Sequence, residues 1–146
     1  MIIGMSNDHA ATDLKFELKN YLESKGHTII NYGTDGKESY DYPKAAKALT
    51  DGIRSGECER GIAICGTGVG ISIACNKAEG IRACCCSEPA SARLTRLHND
   101  ANVICFGARI VGFEEAKMIV DTFIETEFTN DERHIRRISM ISDLEK

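Results

Sequence analysis

The sequence predicts an α/β fold, a three-layer αβα sandwich on a Rossmann-like, five-stranded parallel sheet with a C-terminal helix. Short β-branched runs alternate with longer stretches of helical periodicity, and the spacing between runs leaves room for the helical crossovers that parallel strands require. The chain has 146 residues and 42% hydrophobic content. That length suits a single domain, which at this size buries roughly 68 to 70% of its unfolded surface and needs no disulfide or metal to fold. One domain spanning residues 1–146, with a helical extension over about 131–146, is the expectation.

Residues 1–3, 28–32, 61–65, 82–86 and 103–106 have strand character. Between the first two runs, Leu14, Leu18, Tyr21 and Leu22 form one apolar stripe opposite Lys15, Lys19 and Glu23, and Gly26 supplies a stop. Ala45, Ala46, Leu49 and Ile53 form a second stripe after Pro43, which suits a first helical turn. Ala116, Ile119, Val120, Phe123 and Ile124 form a third. Right-handed crossovers then place helices on both faces of an open, doubly wound sheet. In the polar tail, Ile135, Ile138, Ile141 and Leu144 recur every third residue. This amphipathic helix packs either on its own domain or on a second subunit, and homo-oligomerisation is expected.

Eighteen Lys and Arg against 22 Asp and Glu give a net charge of −4, which argues against nucleic acid or an anionic membrane surface as partner. Apolar runs stop well short of the ~20 residues a membrane span requires, and no signal-type apolar region precedes Asp8 and Asp13. A soluble, cytoplasmic protein is expected. The seven cysteines include no C-x-x-C pair and no regular spacing, which excludes zinc-ribbon and disulfide-framework readings. Cys84, Cys85, Cys86 and Cys105 are expected to be small buried hydrophobes in a reducing compartment.

Ligands of open α/β sheets bind beyond the carboxyl ends of the strands. Four segments there carry chemistry: Ser6-Asn7-Asp8-His9, Cys65-Gly66-Thr67-Gly68-Val69-Gly70, Ser87-Glu88 and Gly107-Ala108-Arg109. In the second of these, the glycines let the backbone turn sharply and present N–H groups, and the following helix adds its positive end, so an anion is expected there. The loop is neither G-x-G-x-x-G nor a Walker A loop, and Ile71 stands where a cysteine phosphatase needs arginine. The same surroundings favour a thiolate at Cys65, the form that acts as a base, over a merely buried cysteine. Asp8 and His9 suit either a site or a cap and turn before the first helix. His98-Asn99-Asp100 suits a site or a helix C-terminal turn. Arg133 and Arg137 share a helix face, where they either clamp a phosphate, with Arg136 nearby, or form a solvated basic patch.

Taken together, Asn7-Asp8-His9-Ala10, Asp41-Tyr42-Pro43, the segment from Ile64 to Ser72, Asn76-Lys77, Gly80-Ile81-Arg82-Ala83, Ser91-Ala92-Arg93, the segment from His98 to Asn102, Gly107-Ala108-Arg109 and Arg133-His134 resemble type B ribose-5-phosphate isomerases. The same family includes allose- and galactose-6-phosphate isomerases, and the resemblance covers nearly the whole chain. It implies reversible aldose–ketose isomerisation of a sugar phosphate through a cis-enediolate, with no cofactor and no metal. Cys65 matches the base that moves a proton between C2 and C1. Gly66, Thr67, Gly68, Val69 and Gly70 match the anion hole, with the Thr67 hydroxyl taking part in catalysis. His98 matches the acid that opens the furanose ring, Asp8 assists it, and Asn99 holds a sugar hydroxyl. His9, Arg109, Arg133 and Arg137 match ligands of the phosphate and substrate. The resemblance also implies a homodimer, or a dimer of dimers, in which His98 and the C-terminal arginines serve the Cys65 of a neighbouring chain.

Two departures bear on function. Ser87-Glu88-Pro89-Ala90 stands where many relatives carry a polar pair and an aromatic, and Ala90 leaves space that opens the choice between pentose and hexose phosphates. Galactose-6-phosphate isomerases of the family divide their catalytic features between two different chains, whereas Cys65 and His98-Asn99 occur together here, which implies a self-sufficient enzyme. A non-catalytic sugar-phosphate binding module and a thiol redox sensor are the readings from outside the enzyme class.

Overall fold

The computed structural model describes residues 1–146. Strands and helices alternate from β1 (Ile2–Asn7) through α1 (Thr12–Ser24), β2 (Thr28–Asn31), α2 (Tyr42–Arg54), β3 (Arg60–Cys65) and α3 (Val69–Cys75). There follow β4 (Ala83–Cys85), α4 (Pro89–Asn99), β5 (Val103–Gly107), α5 (Phe113–Glu125) and α6 (Glu132–Asp143). The sheet runs in the order β2-β1-β3-β5-β4, and every pairing is parallel. Strand order therefore reverses direction between β1 and β3, which opens a crevice at their carboxyl ends.

Alternation along the strands divides the core in two. Ile3, Met5, Ile62, Ile64, Ile104 and Phe106 point to one face, where α1, α4 and α5 cover them with Leu14, Leu18, Leu22, Ala92, Ile119, Val120 and Phe123. Ala63, Cys65, Val103 and Cys105 point to the other, against Ala45, Ala46 and Leu49 of α2 and Ile71 and Cys75 of α3. Side chains on this second face are smaller, so α2 and α3 ride close to the strand that ends in Cys65. The three expected stripes are all buried, apart from half-buried Tyr21 and Ile53. Gly26 follows α1 with a left-handed φ of +93°, and Pro43 lies in the first turn of α2.

Several expectations need correction. The first strand continues through Ser6 and Asn7, which are fully buried. Both look like loop residues in sequence, but most of their polar groups find partners inside: the Ser6 hydroxyl donates to the Ala45 carbonyl at 2.7 Å, and the Asn7 amide N–H to the Thr34 carbonyl at 3.0 Å, while the Asn7 side-chain oxygen is buried without a partner. The fourth strand is shorter than expected, and Cys85 at its end is exposed rather than buried. β4 pairs only with β5, so this edge has no further strand to cover it. Cys84 is half-buried, hydrogen-bonded to the Thr95 hydroxyl at 2.6 Å, while Cys86 and Cys105 are buried as expected.

The terminal helix α6 is present, but of its apolar stripe only Ile138 is half-buried within the chain. Ile135, Ile141 and Leu144 are 47%, 42% and 84% exposed, and the one buried residue of α6 is His134. No helix is long and apolar enough to cross a membrane.

Candidate active site

Register fixes which residues meet at the crevice. Asn7 of β1 stands opposite Ile64 of β3, and Cys65 opposite Gly107 of β5. Asp8, Gly66 and Ala108 therefore leave the sheet side by side. Backbone bonds continue past the strand ends: Asp8 donates to the Ile64 carbonyl at 3.2 Å, Ala108 to that of Cys65 at 2.8 Å and Arg109 to that of Gly66 at 3.0 Å.

The loop over β5 is shaped by close backbone contact. A Cβ on Gly107 would lie 2.5 Å from the Thr67 backbone, and one on Gly68 would lie 2.6 Å from the backbone of Phe106. Gly68 also has a φ of +83°, a conformation that a side chain disfavours by about 1–2 kcal/mol. This turn aims the Gly68 N–H at the Cys65 sulfur, 3.1 Å away, and Cys65 itself is 4% exposed. The exposed Thr67 hydroxyl accepts from the Val69 N–H at 3.2 Å. N–H groups of Gly66, Thr67, Gly70 and Ile71 meet no acceptor in the chain, the last two because they open α3. The Cys65 sulfur thus sits beside donors suited to an oxyanion. Gly68→Ala is expected to lower unfolding stability by about 2 kcal/mol or more, through strain and steric overlap together, in urea titrations.

Side chains of the flanking loops converge on the same crevice. A guanidinium nitrogen of Arg109 would stand 3.3 Å from a Cβ on Gly66, so its charge lies over the loop. The Asp8 carboxylate accepts from the Ala10 N–H at 3.0 Å, capping a short 3-10 turn over His9–Ala11. That is the capping role its sequence position allows, and one carboxylate oxygen is not used by this cap. His9 Nδ1 accepts from the Tyr40 N–H at 3.1 Å, which leaves Nε2 as the protonated, donating nitrogen. Tyr42 stands at the loop's rim, its ring carbon Cζ 2.8 Å from where a Cβ on Gly70 would be. The Cys85 thiol donates to the Thr67 carbonyl at 3.8 Å. Burial pushes the thiols of Cys58, Cys85 and Cys105 up, and that of Cys86 to about 12, so these four stay protonated near neutral pH.

Four of the expected site residues are elsewhere. Helix α4 starts beyond the carboxyl end of β4 and runs back along the sheet for 11 residues, about 16 Å at 1.5 Å per residue. His98 and Asn99 consequently lie near the strands' amino ends, where the Asn99 carbonyl accepts from Arg82 Nε at 2.9 Å, just ahead of β4. The His98 ring stacks on that of His134, with centroids 4.6 Å apart. Arg133 and Arg137 flank His134 on α6 and are exposed. A cavity of about 660 Å³ opens at this end, lined in part by Asn99, Arg82, Ile141 and Leu144. No cluster of three His, Cys, Asp or Glu side chains is arranged to hold a metal ion.

The family model for ribose/galactose isomerases matches residues 3–141. The chain belongs to the ribose/galactose isomerase family. Ribose-5-phosphate isomerase B of Escherichia coli (strain K12) is 46% identical over 144 residues, covering 99% of this chain and 96% of that protein. A galactose-6-phosphate isomerase subunit of Clostridium acetobutylicum is 38% identical over 144 residues, covering 99% of this chain and 83% of that one. The solved structure of Clostridium thermocellum ribose-5-phosphate isomerase B superposes with a TM-score of 0.97 at 46% identity, covering 99% of this chain and 97% of that one.

Within this ribose/galactose isomerase chain, Asp8, His9, Cys65 to Gly70 and Arg109 form one group, and His98, Asn99, Arg133 and Arg137 another at the opposite end of the sheet. Sequence reasoning gave no role to Tyr42, Cys85 or His134. Tyr42 and His134 lie in segments that carry the family resemblance, which was the available signal. The exposure of Cys85 follows from strand order, which local sequence does not encode.

Proposed function

We propose that this protein is a sugar-phosphate aldose–ketose isomerase that interconverts ribose 5-phosphate and ribulose 5-phosphate with Cys65 as the base. The carrying observation is the Gly68 N–H on the Cys65 sulfur at 3.1 Å, beside a loop of free N–H donors at the sheet's switch point. In the open-chain aldose, the Cys65 thiolate takes the C2 proton, and electrons move toward the C1 oxygen. Donors from Gly66 to Gly70 and the Thr67 hydroxyl meet the charge that develops there, an effect worth about 3–4 kcal/mol per well-placed donor in other enzymes. The resulting cis-enediolate passes its O2 proton to O1, and the Cys65 thiol returns its proton to C1. The chemistry uses no cofactor and no metal.

Ring opening precedes these steps. His98 is the acid that protonates the ring oxygen, with Asp8 assisting at the anomeric hydroxyl and Asn99 holding a sugar hydroxyl. His9, Arg109, Arg133 and Arg137 hold the phosphate. Because His98 and Cys65 lie at opposite ends of one chain, the site is assembled across a two-fold homodimer, or a dimer of such dimers. Exposed apolar side chains support this: Val69, Ile73 and Ile110 beside the Cys65 loop, and Ile135, Met140 and Ile141 on α6. The protein is a single-domain cytoplasmic enzyme in this reading.

A six-carbon substrate is the second reading, allose or galactose 6-phosphate, favoured by the exposed Ala90 in the first turn of α4, after the strand that ends beside the loop. Conversion of ribose 5-phosphate measured in EDTA, with allose 6-phosphate and galactose 6-phosphate alongside, tests the proposal. Turnover that survives chelation, with the highest kcat/KM on the pentose, is expected. A higher kcat/KM on either hexose phosphate would overturn the pentose assignment, and binding without turnover on all three would leave a sugar-phosphate binding module.

A further inference from the structure

Helix α6 is amphipathic, yet the only side chain it buries is His134, in its first turn. The His134 ring lies on that of His98 with centroids 4.6 Å apart and planes within 21° of parallel. An aliphatic side chain would fill this helix–helix contact equally well, whereas a flat ring also dictates the plane of its neighbour. Face-to-face stacking leaves the nitrogens of both rings at the rim, and none of them is a buried atom lacking a partner. Arg133 and Arg137 on α6 add positive charge around the pair, Asp131 opposes it, and from α4 the facing group is His98 itself. Burial, with Arg133 and His98 nearby, holds His134 below the usual imidazole value.

We propose that His134 is a positioning residue for His98: the stack fixes the plane of the His98 imidazole and so aims its ring edge at the ring oxygen of the cyclic sugar. This rests on the reading of His98 as the ring-opening acid. The reaction itself provides a way to separate the steps. Exchange of a C1 proton of ribulose 5-phosphate with D2O needs the Cys65 base and no ring opening, because the phosphorylated C5 oxygen prevents this ketose from closing a furanose ring.

Isomerisation of ribose 5-phosphate and C1 deuterium uptake by ribulose 5-phosphate are therefore measured for His134→Ala and His134→Phe. Loss of the platform in His134→Ala is expected to lower kcat/KM for isomerisation at least about tenfold, since small misplacements of a catalytic group have effects of this order. Deuterium uptake stays at the wild-type rate. His134→Phe keeps a flat ring and restores most of the isomerisation. Unchanged isomerisation in His134→Ala overturns the proposal, and so does a parallel fall in both rates that His134→Phe does not recover. Deuterium uptake that persists in Cys65→Ala would overturn the underlying functional reading instead.

Discussion

Equal mixing of Cys65→Ala and His98→Asn chains, each nearly inactive alone, is expected to restore about a quarter of wild-type turnover. Random pairing makes about half of all dimers mixed. In each mixed dimer one site combines two defects, while the other combines an intact Cys65 with an intact His98. The expectation follows from the course of α4, which carries His98 and Asn99 from the carboxyl ends of the strands, where Cys65 lies, toward their amino ends. Assay of the mixture checks it, and mixed dimers of two differently tagged chains, purified through both tags, are expected at about half of wild-type turnover. Mixed dimers as inactive as their parents would place acid and base in a single chain and overturn the shared site.

Cys65→Ala is expected to lower kcat by about 10² to 10⁴, the usual contribution of a general base. Cys65→Ser should fall by a similar factor, because a serine hydroxyl in the same place holds its proton far more tightly than a thiol. Neither change should unfold the chain. Cys65 packs among Ala45, Ala63 and Ile71 as a small side chain, so truncation removes one sulfur from the smaller core. Thermal unfolding run beside the kinetics separates loss of the base from loss of structure. Wild-type turnover in a folded Cys65→Ala would reject the base. Four of the other six cysteines compete poorly for this role: burial raises Cys58, Cys85, Cys86 and Cys105, and none of these four sulfurs receives the Gly68 N–H.

Elements built on apolar periodicity were legible in the sequence. The stripe of α1 from Leu14 to Leu22 and that of α5 from Ala116 to Ile124 both face the core, and the run that ends in Cys65 is a central, fully buried strand. What escaped was polar and buried. Ser6 and Asn7 belong to β1 because Ala45 and Thr34, far along the chain, offer them carbonyls. Helix α4 has no apolar stripe, since its buried residues are Ala92, Thr95 and Arg96. Arg96 is tolerated inside because the Thr126 and Ala101 carbonyls and the Asp100 carboxylate take its N–H groups. The glycine loop was legible as a turn with outward N–H donors, which the structure shows. The separation of Cys65 from His98 was implied only by the family resemblance and not by local sequence, because it depends on which way α4 runs across the sheet.

Helix α4 acts as a ruler for the chemistry. Its start is tied to the edge of the sheet at β4, and its far end carries His98. Each residue added to or removed from it would slide His98 by about 1.5 Å and swing it about 100° around the helix axis. Were the site shared as proposed, the number of residues in α4 would set the distance from the subunit boundary to His98. Substrate length would then be open to adjustment at side chains such as Ala90 only while that count stayed fixed.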